Sequence, residues 1–158
     1  MSASLIYDLA PIGAIVTWHD GTPRPPERHR RKLAAWENRN SKGRLIRKQG
    51  KHGIGNACLS PDFTLHEGDF GTSSVITIRI HRTFSLDSSL TFKVIARPQL
   101  GYIRVFDRAG DNAELVHLAA NRQAAEEWLT RHSYPNAVLE EVTADEVAAA
   151  HVEGRVAA

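Results

Sequence analysis

Apolar residues alternate with other residues over residues 75–84, and this pattern is the clearest structural signal in the sequence. Ile76, Ile78 and Ile80 fall on one face of the predicted strand, and mainly polar residues fall on the other. A period of two is typical of a strand with one buried face. Shorter segments of the same kind follow, separated by turn-forming sequences, at residues 90–97, 102–107 and 114–118. Four short strands joined by tight turns predict an antiparallel β-meander over residues 75–119.

Helical patterns flank this predicted meander on both sides. Apolar residues recur at spacings of three and four over residues 122–132, after Asn121, which is a good N-cap residue. Residues 26–39 have a similar spacing, and the prolines at the start of this segment suit the first turn of a helix. A capping-box spacing predicts a short C-terminal helix at residues 143–151. We therefore expect an α+β fold in which an antiparallel β-meander packs against an amphipathic helix and an N-terminal basic helix lies near an edge.

The expected core combines the apolar face of the meander with helix 122–132. A chain of this length is expected to form a single domain over residues 1–158. Trp18 and Trp36 fall on the apolar sides of their elements, so they are also expected to anchor the core. The side chains expected to form the core are those of Ile76, Ile78, Ile80, Phe92, Val94, Ile103, Val105 and Trp128.

The composition narrows the class of protein. The chain is 42% hydrophobic and 24% charged, which is typical of globular proteins. Its one cysteine, Cys58, excludes an internal disulfide and is typical of a reducing compartment. The first apolar segment is interrupted by Asp8 and Pro11 and has no basic residue before it, unlike a signal peptide. No segment approaches the roughly 20 apolar residues that span a bilayer, so we expect a cytoplasmic protein without membrane association.

The charge distribution is uneven, and this gives the strongest functional signal. Residues 24–51, which we call the basic segment, contain eleven Arg or Lys and two acidic residues, a local charge of +9. The other 130 residues contain nine bases and sixteen acids, a charge of −7. So dense a positive charge is unfavourable unless counter-ions or a polyanionic partner neutralise it.

The basic segment predicts a non-enzymatic nucleic-acid-binding protein with an accessory or regulatory role. Basic side chains that neutralise phosphates release condensed counter-ions, and this favours binding to DNA or RNA. The segment does not match a helix-turn-helix, zinc finger or zipper, so phosphate contact is expected rather than base readout. No catalytic residue, metal or cofactor is predicted. The residues expected to contact phosphates are Arg28, Arg31, Lys32, Arg39, Arg44, Arg47 and Lys48.

An acidic protein is the alternative partner, with the chain acting as an inhibitor or adaptor. Residues 109–158 contain nine acids and three bases, so they can also neutralise the basic segment within the chain or between copies of a homo-oligomer. The exposed face of the meander offers a further surface, because basic and aromatic side chains together can stack single-stranded bases. The side chains placed on that face are Arg79, His81, Lys93, Arg97, Tyr102, Arg104 and Phe106.

A small nuclease or hydrolase is the third hypothesis. His66, Glu67 and Asp69 form a compact cluster, to which His81 can add a further group. His81 and His117 can also act as an acid–base pair on RNA, because imidazoles titrate near neutral pH. No His-x-x-x-His or Cys-x-x-Cys spacing supports a metal site, and eight histidines in 158 residues make such clusters easy to find by chance.

Overall fold

The computed structural model describes residues 1–55, 57–72 and 75–149, without the side chains of residues 54, 57 and 75–77. The fold is mixed α+β with antiparallel sheets, so the predicted fold class is confirmed. The helices are α1 (Ala3–Leu9), α2 (Arg30–Arg39), α3 (Arg122–Arg131) and α4 (144–149). The strands are β1 (Ile15–His19), β2 (Ser41–Gln49), β3 (His52–Ile54), β4 (Ala57–Leu59), β5 (Asp62–Thr72), β6 (Val75–Ser85), β7 (Thr91–Ala96), β8 (Ile103–Phe106), β9 (Leu115–Ala119) and β10 (Val138–Glu141).

The strands of the predicted meander are divided between two sheets. The larger sheet has the order β6-β5-β2-β1-β7, so β6 and β7 are its opposite edges rather than neighbours. The smaller sheet has the order β10-β8-β9, and β3 pairs with β4 in a separate hairpin. The prediction of one meander over residues 75–119 is therefore wrong, although strands lie in all four predicted segments. Turn signals show where strands end, but β1, β2 and β5 enter the larger sheet through pairing between distant residues.

The core of the five-stranded sheet is an aromatic cluster covered by α1. Ring centroids of Phe63 lie 5.6 Å from Phe84 and 5.5 Å from Phe92, and Trp18 lies 5.1 Å from Phe84. All four rings are buried. Helix α1 was not predicted, yet its buried residues have helical spacing and the hydroxyl of Ser2 accepts a hydrogen bond from its first turn. The aliphatic side chains of this core are Ala3, Ile6, Ala10, Val16, Leu45 and Leu65.

The predicted isoleucine face contributes less to the core than expected. Ile78 is 59% exposed, and the side chain of Ile76 lies outside the described residues. Ile78 is six residues from Phe84, or about 20 Å along the strand, because each strand residue advances the chain by about 3.3 Å. The hairpin of β5 and β6 therefore extends past the part of the sheet that α1 covers. Phe92, Ile103 and Val105 are buried, as predicted.

A second core lies between α3 and the three-stranded sheet. Ile103 and Val105 on β8 pack with Ala125 on α3, and Trp128 lies partly buried against them. The side chain of Asn121 accepts a 2.8 Å hydrogen bond from the amide of Ala124, so it caps α3 at the predicted position. Helix α4 covers residues 144–149, and the last two residues of the predicted helix 143–151 lie outside the described residues.

Polar contacts, rather than a buried face, hold α2 against the larger sheet. The helix has no buried residue, so the prediction that Trp36 anchors the core is wrong. The indole of Trp36 donates to the carbonyl oxygen of Thr22 at 2.9 Å. Two residues further along, at the C-terminal end of α2, Arg82 and Trp18 both donate to the carbonyl oxygen of Asn38, at 2.9 and 3.4 Å. Helix α2 begins at Arg30 rather than at residue 26, so it is shorter than predicted. It faces solvent along most of its surface.

Candidate functional site

Four predicted phosphate-binding residues lie in or beside α2, and we call them the helix group: Arg28, Arg31, Lys32 and Arg39. All four are exposed. Arg39 lies 3.8 Å from a carboxylate oxygen of Asp20, and Arg28 donates to a ring nitrogen of His29 at 3.2 Å. Within the described part of the chain, Arg28, Arg31 and Lys32 have no carboxylate within 4.0 Å. Their charges are therefore available to an external anion.

Asp20 is the carboxylate that organises the segment leading into α2. Its pKa is lowered to about 2, first by hydrogen bonds from the side chain and backbone of Thr22, then by the side-chain amide of Asn40 and the charge of Arg39. Asp20 is thus ionised across the neutral range and satisfied by neutral donors. Its 3.8 Å contact with Arg39 leaves that guanidinium 69% exposed.

The remaining predicted residues, Arg44, Arg47 and Lys48, lie half-buried on β2 and do not join the helix group. Leu65 on β5 is buried under α1, so its neighbour His66 points to the opposite face of the sheet. Arg44 pairs with His66 in the strand register and shares that opposite face.

Helix α2 is attached on the side of the sheet that α1 covers. Arg82, which pairs with Leu65, donates to Asn38 at the end of α2. Lys48 also lies on this side, where its ammonium group is 5.8 Å from the centre of the Tyr7 ring. The structure therefore divides the seven predicted residues between an exposed helix and the two faces of a strand.

A polar cleft of about 300 Å³ lies on the face of the sheet that carries Arg44, beside β9. Gly43 allows β2 to approach β5 closely here, because a Cβ atom at Gly43 would lie 2.8 Å from the carbonyl oxygen of His66. We call this the histidine cleft. Its polar lining consists of Arg44, His66, Asp69, Arg79, His81 and His117.

The centre of the histidine cleft is a hydrogen-bonded group on β5 and β6. Nε2 of His66 lies 2.7 Å from Oδ1 of Asp69, to which Nε of Arg79 donates at 3.1 Å. The rings of His66 and His81 are 5.7 Å apart, edge to face. Nε2 of His81 lies 3.9 Å from Oε1 of Glu114, a cleft neighbour that the sequence did not indicate.

The structure brings together most of the residues of the nuclease hypothesis. His66, Asp69 and His81 meet in the cleft, together with His117. Glu67 points to the other face, where its carboxylate lies 3.1 Å from Arg82. Among the described residues, no group of three or more His, Cys, Asp or Glu could hold a metal ion. The cleft combines imidazoles and guanidinium groups with the carboxylate of Asp69.

Burial and neighbouring cations keep two of the cleft imidazoles neutral. Burial lowers the pKa of His81; Glu114 opposes this effect, and the charges of His66, Arg79 and Arg47 add to it. Burial also lowers the pKa of His117, with smaller contributions from the charges of His132 and Arg44.

The lowered pKa values of His81 and His117 predict a loss of stability on mild acidification. The unfolded chain takes up a proton near pH 6.5 at each histidine, whereas the folded chain does so only at lower pH. Unfolding therefore becomes more favourable as the pH falls from 7.5 to 5.5. We expect the urea midpoint to fall over this range and to fall less in the double variant His81→Gln/His117→Gln. An equal fall in both proteins would contradict the assignment.

The predicted exposed face of the meander does not exist as one surface. Arg79 and His81 line the cleft, whereas Arg104 is only 3% exposed. Arg104 donates to Glu140 at 3.1 Å and to the carbonyl oxygen of Ile12 at 2.8 Å, and its other contacts are with Glu146 in α4. Arg104 therefore stabilises the junction of the N-terminal loop, β10 and α4 rather than a nucleic-acid surface.

A search for membrane-spanning helices and comparisons with known proteins bear on the class of protein. No helix in the described residues is both long and apolar enough to cross a membrane. One protein-family model, described as uncharacterised conserved protein UCP036055, matches residues 1–146 of the chain. Neither the curated proteins nor the solved structures gave a match.

Proposed function

We propose that this chain, which belongs to the family of uncharacterised conserved protein UCP036055, is a non-enzymatic protein that binds DNA or RNA through the helix group. One observation carries the proposal: Arg28, Arg31 and Lys32 are exposed and, in the described ranges, have no carboxylate within 4.0 Å. Cations that lack carboxylate partners and lie close together on one element favour a ligand with closely spaced negative charges. We assign the protein an accessory or regulatory role in the cytoplasm.

The arrangement of the helix group favours contact with the phosphate backbone. Arg31, Lys32 and Arg39 project from one helix, and the span from Arg31 to Arg39 is about 12 Å at 1.5 Å per residue. Arg28 extends the group beyond the start of α2. Phosphate contacts position a protein on nucleic acid and carry no sequence information directly. Binding is therefore expected to depend on charge and salt, and little on base sequence.

The partner class is tested by fluorescence anisotropy with the full chain and three labelled ligands of similar charge. These are a 20-base-pair DNA duplex, a single-stranded RNA and a polyglutamate chain, compared at physiological salt. We expect binding to DNA or RNA with a dissociation constant of about 1–100 μM, the range of non-specific nucleic-acid binding. A second duplex of unrelated sequence should bind equally well. Binding to polyglutamate alone, without binding to either nucleic acid, is not expected.

The outcomes separate the alternatives. Selective binding of either nucleic acid supports the proposal. Equal or stronger binding of polyglutamate favours the acidic-protein partner. Absence of binding to all three ligands overturns the assignment of the helix group as an anion-binding surface.

A further inference from the structure

Two guanidinium groups on the cleft face of the larger sheet lack a carboxylate partner. Arg44 is half-buried and donates to the carbonyl oxygen of Gly13 at 2.8 Å. Nε of Arg47 is buried without a hydrogen-bond partner, and its Nη2 reaches Oγ1 of Thr64 only at 3.5 Å. In the part of the chain that the structure describes, neither residue has a carboxylate within 4.0 Å. Because a desolvated cation is unfavourable without a counter-ion, this face favours an anion.

The other charged groups of the histidine cleft do not cancel this excess. Arg79 shares the carboxylate of Asp69 with His66, and Glu114 is 3.9 Å from His81. Three arginines, counting Arg44 and Arg47, thus face two carboxylates around the cleft. The imidazoles can add hydrogen-bond donors when they bind protons.

We propose that the histidine cleft binds a phosphate monoester, whose phosphoryl group contacts Arg44 and the imidazole of His81. The guanidinium fork matches the oxygen spacing of a phosphate, and its hydrogen bonds to a charged oxygen are stronger than neutral ones. The cleft volume of about 300 Å³ is at the lower end for small-molecule sites and leaves room for an organic group. Leu115, Val116 and Leu118 provide the apolar lining that such a group can contact.

This site is separate from the proposed nucleic-acid surface. Arg44 and His66 share one face of the larger sheet, whereas α2 is attached on the other side through Arg82 and Asn38. A ligand in the cleft therefore leaves the helix group exposed. Each proposal can fail without the other.

Binding of a dianion is expected to change the titration of His81. The groups around His81 are His66 and Asp69 from β5, Arg44 and Arg47 from β2, Arg79 from β6, and Glu114 and His117 at β9. The cations among them favour the neutral imidazole. A phosphate beside the same cations would offset their effect and favour the protonated imidazole.

The test is an NMR pH titration of the histidine ring protons in the full chain, alone and with inorganic phosphate or phenyl phosphate. We expect phenyl phosphate to move the titration midpoint of His81 upward by about one pH unit. Phenyl phosphate should also bind several-fold more tightly than inorganic phosphate, because its ring contacts the apolar lining. Equal affinity for the two ligands would overturn the monoester assignment.

The variant Arg44→Met removes the guanidinium charge and keeps most of the apolar stem. Its matched control is Arg97→Met, because Arg97 is also half-buried and donates to a carbonyl oxygen, that of Leu9, at 3.2 Å. We expect the phosphate-dependent shift to be lost in Arg44→Met and kept in Arg97→Met, with unchanged affinity for a DNA duplex in both. Should Arg44→Met not fold, Arg44→Gln provides the same test, because its neutral amide can still donate to the carbonyl oxygen of Gly13. An undiminished shift in the folded cleft variant would overturn the proposal.

Discussion

Replacing Phe63 by alanine is expected to destabilise the fold by about 3–5 kcal/mol. Phe63 is fully buried, and its ring lies 5.6 Å from Phe84 and 5.5 Å from Phe92, so its removal leaves a cavity at the centre of the aromatic cluster. Strand β5 is also held between β2 and β6, which limits the collapse that could fill this cavity. Urea unfolding at neutral pH measures the loss directly.

The matched control for Phe63→Ala lies on the same strand. Phe70 is also on β5 but is 59% exposed, beyond the part of the sheet that α1 covers. Phe70→Ala removes the same atoms and is expected to change the free energy of unfolding by about 0.5 kcal/mol or less. Similar losses in the two variants would contradict the position assigned to the core.

Reversing two charges of the helix group is the second large effect that we expect. In the double variant Arg31→Glu/Lys32→Glu, two phosphate contacts are lost, and each contributes about 0.9 to the slope of log K against log salt. If the variant and the wild-type chain bind duplex DNA equally at about 1 M salt, the variant binds more weakly by about 1.8 log units, or roughly sixty-fold, at about 0.1 M salt. Repulsion between the new carboxylates and the phosphates lowers the affinity further. Fluorescence anisotropy with a labelled duplex measures this change, and circular dichroism checks that α2 still forms.

A charge-matched control separates local contact from the effect of net charge. Arg122 and Arg131 are exposed on α3, a helix of the same length as α2 on the three-stranded sheet. Arg122→Glu/Arg131→Glu changes the net charge by the same amount and is expected to weaken binding much less. Equal weakening in both double variants would show that overall charge, rather than the helix group, attracts the nucleic acid.

Local sequence patterns predicted the elements of this fold better than their arrangement. The capping residue Asn121 correctly predicted the start of α3, because an N-cap acts on amides within three residues. Alternation predicted β6, but it did not show that β6 lies beside β5 at an edge of the larger sheet. Pairing between β1 and β7 joins residues more than 70 positions apart, and no local pattern encodes that partner choice.

Burial also depended on these distant partners. Ile78 has the alternation of a core residue and is exposed, because its part of the hairpin extends past the core. Arg104 has the alternation of a surface residue and is buried, because Glu140 and Glu146 provide its counter-ions. A period of two gives the face of a strand, but the next layer of the protein decides whether that face meets solvent.

The candidate sites were predictable to different extents. The helix group follows in part from charge density, because a helix this rich in basic residues stays in solvent; the same density also predicted Arg44, Arg47 and Lys48, which lie half-buried on β2. The histidine cleft does not, because the register between β2 and β5 brings Arg44 to His66 and a bulge at Leu45 adjusts the residues that follow. The sequence supplied His66, Asp69 and His81 as candidates, but their meeting point required the sheet.

The salt dependence of DNA binding tests the central claim most directly. We would measure the dissociation constant of a labelled duplex from 50 to 300 mM salt for the wild-type chain and for Arg28→Ala/Arg31→Ala/Lys32→Ala. If each residue contacts one phosphate, removal of all three reduces the slope of log K against log salt by about 2.7. The account predicts a steep wild-type slope that is reduced by this amount. A salt-independent affinity, or the same slope in both proteins, would contradict it.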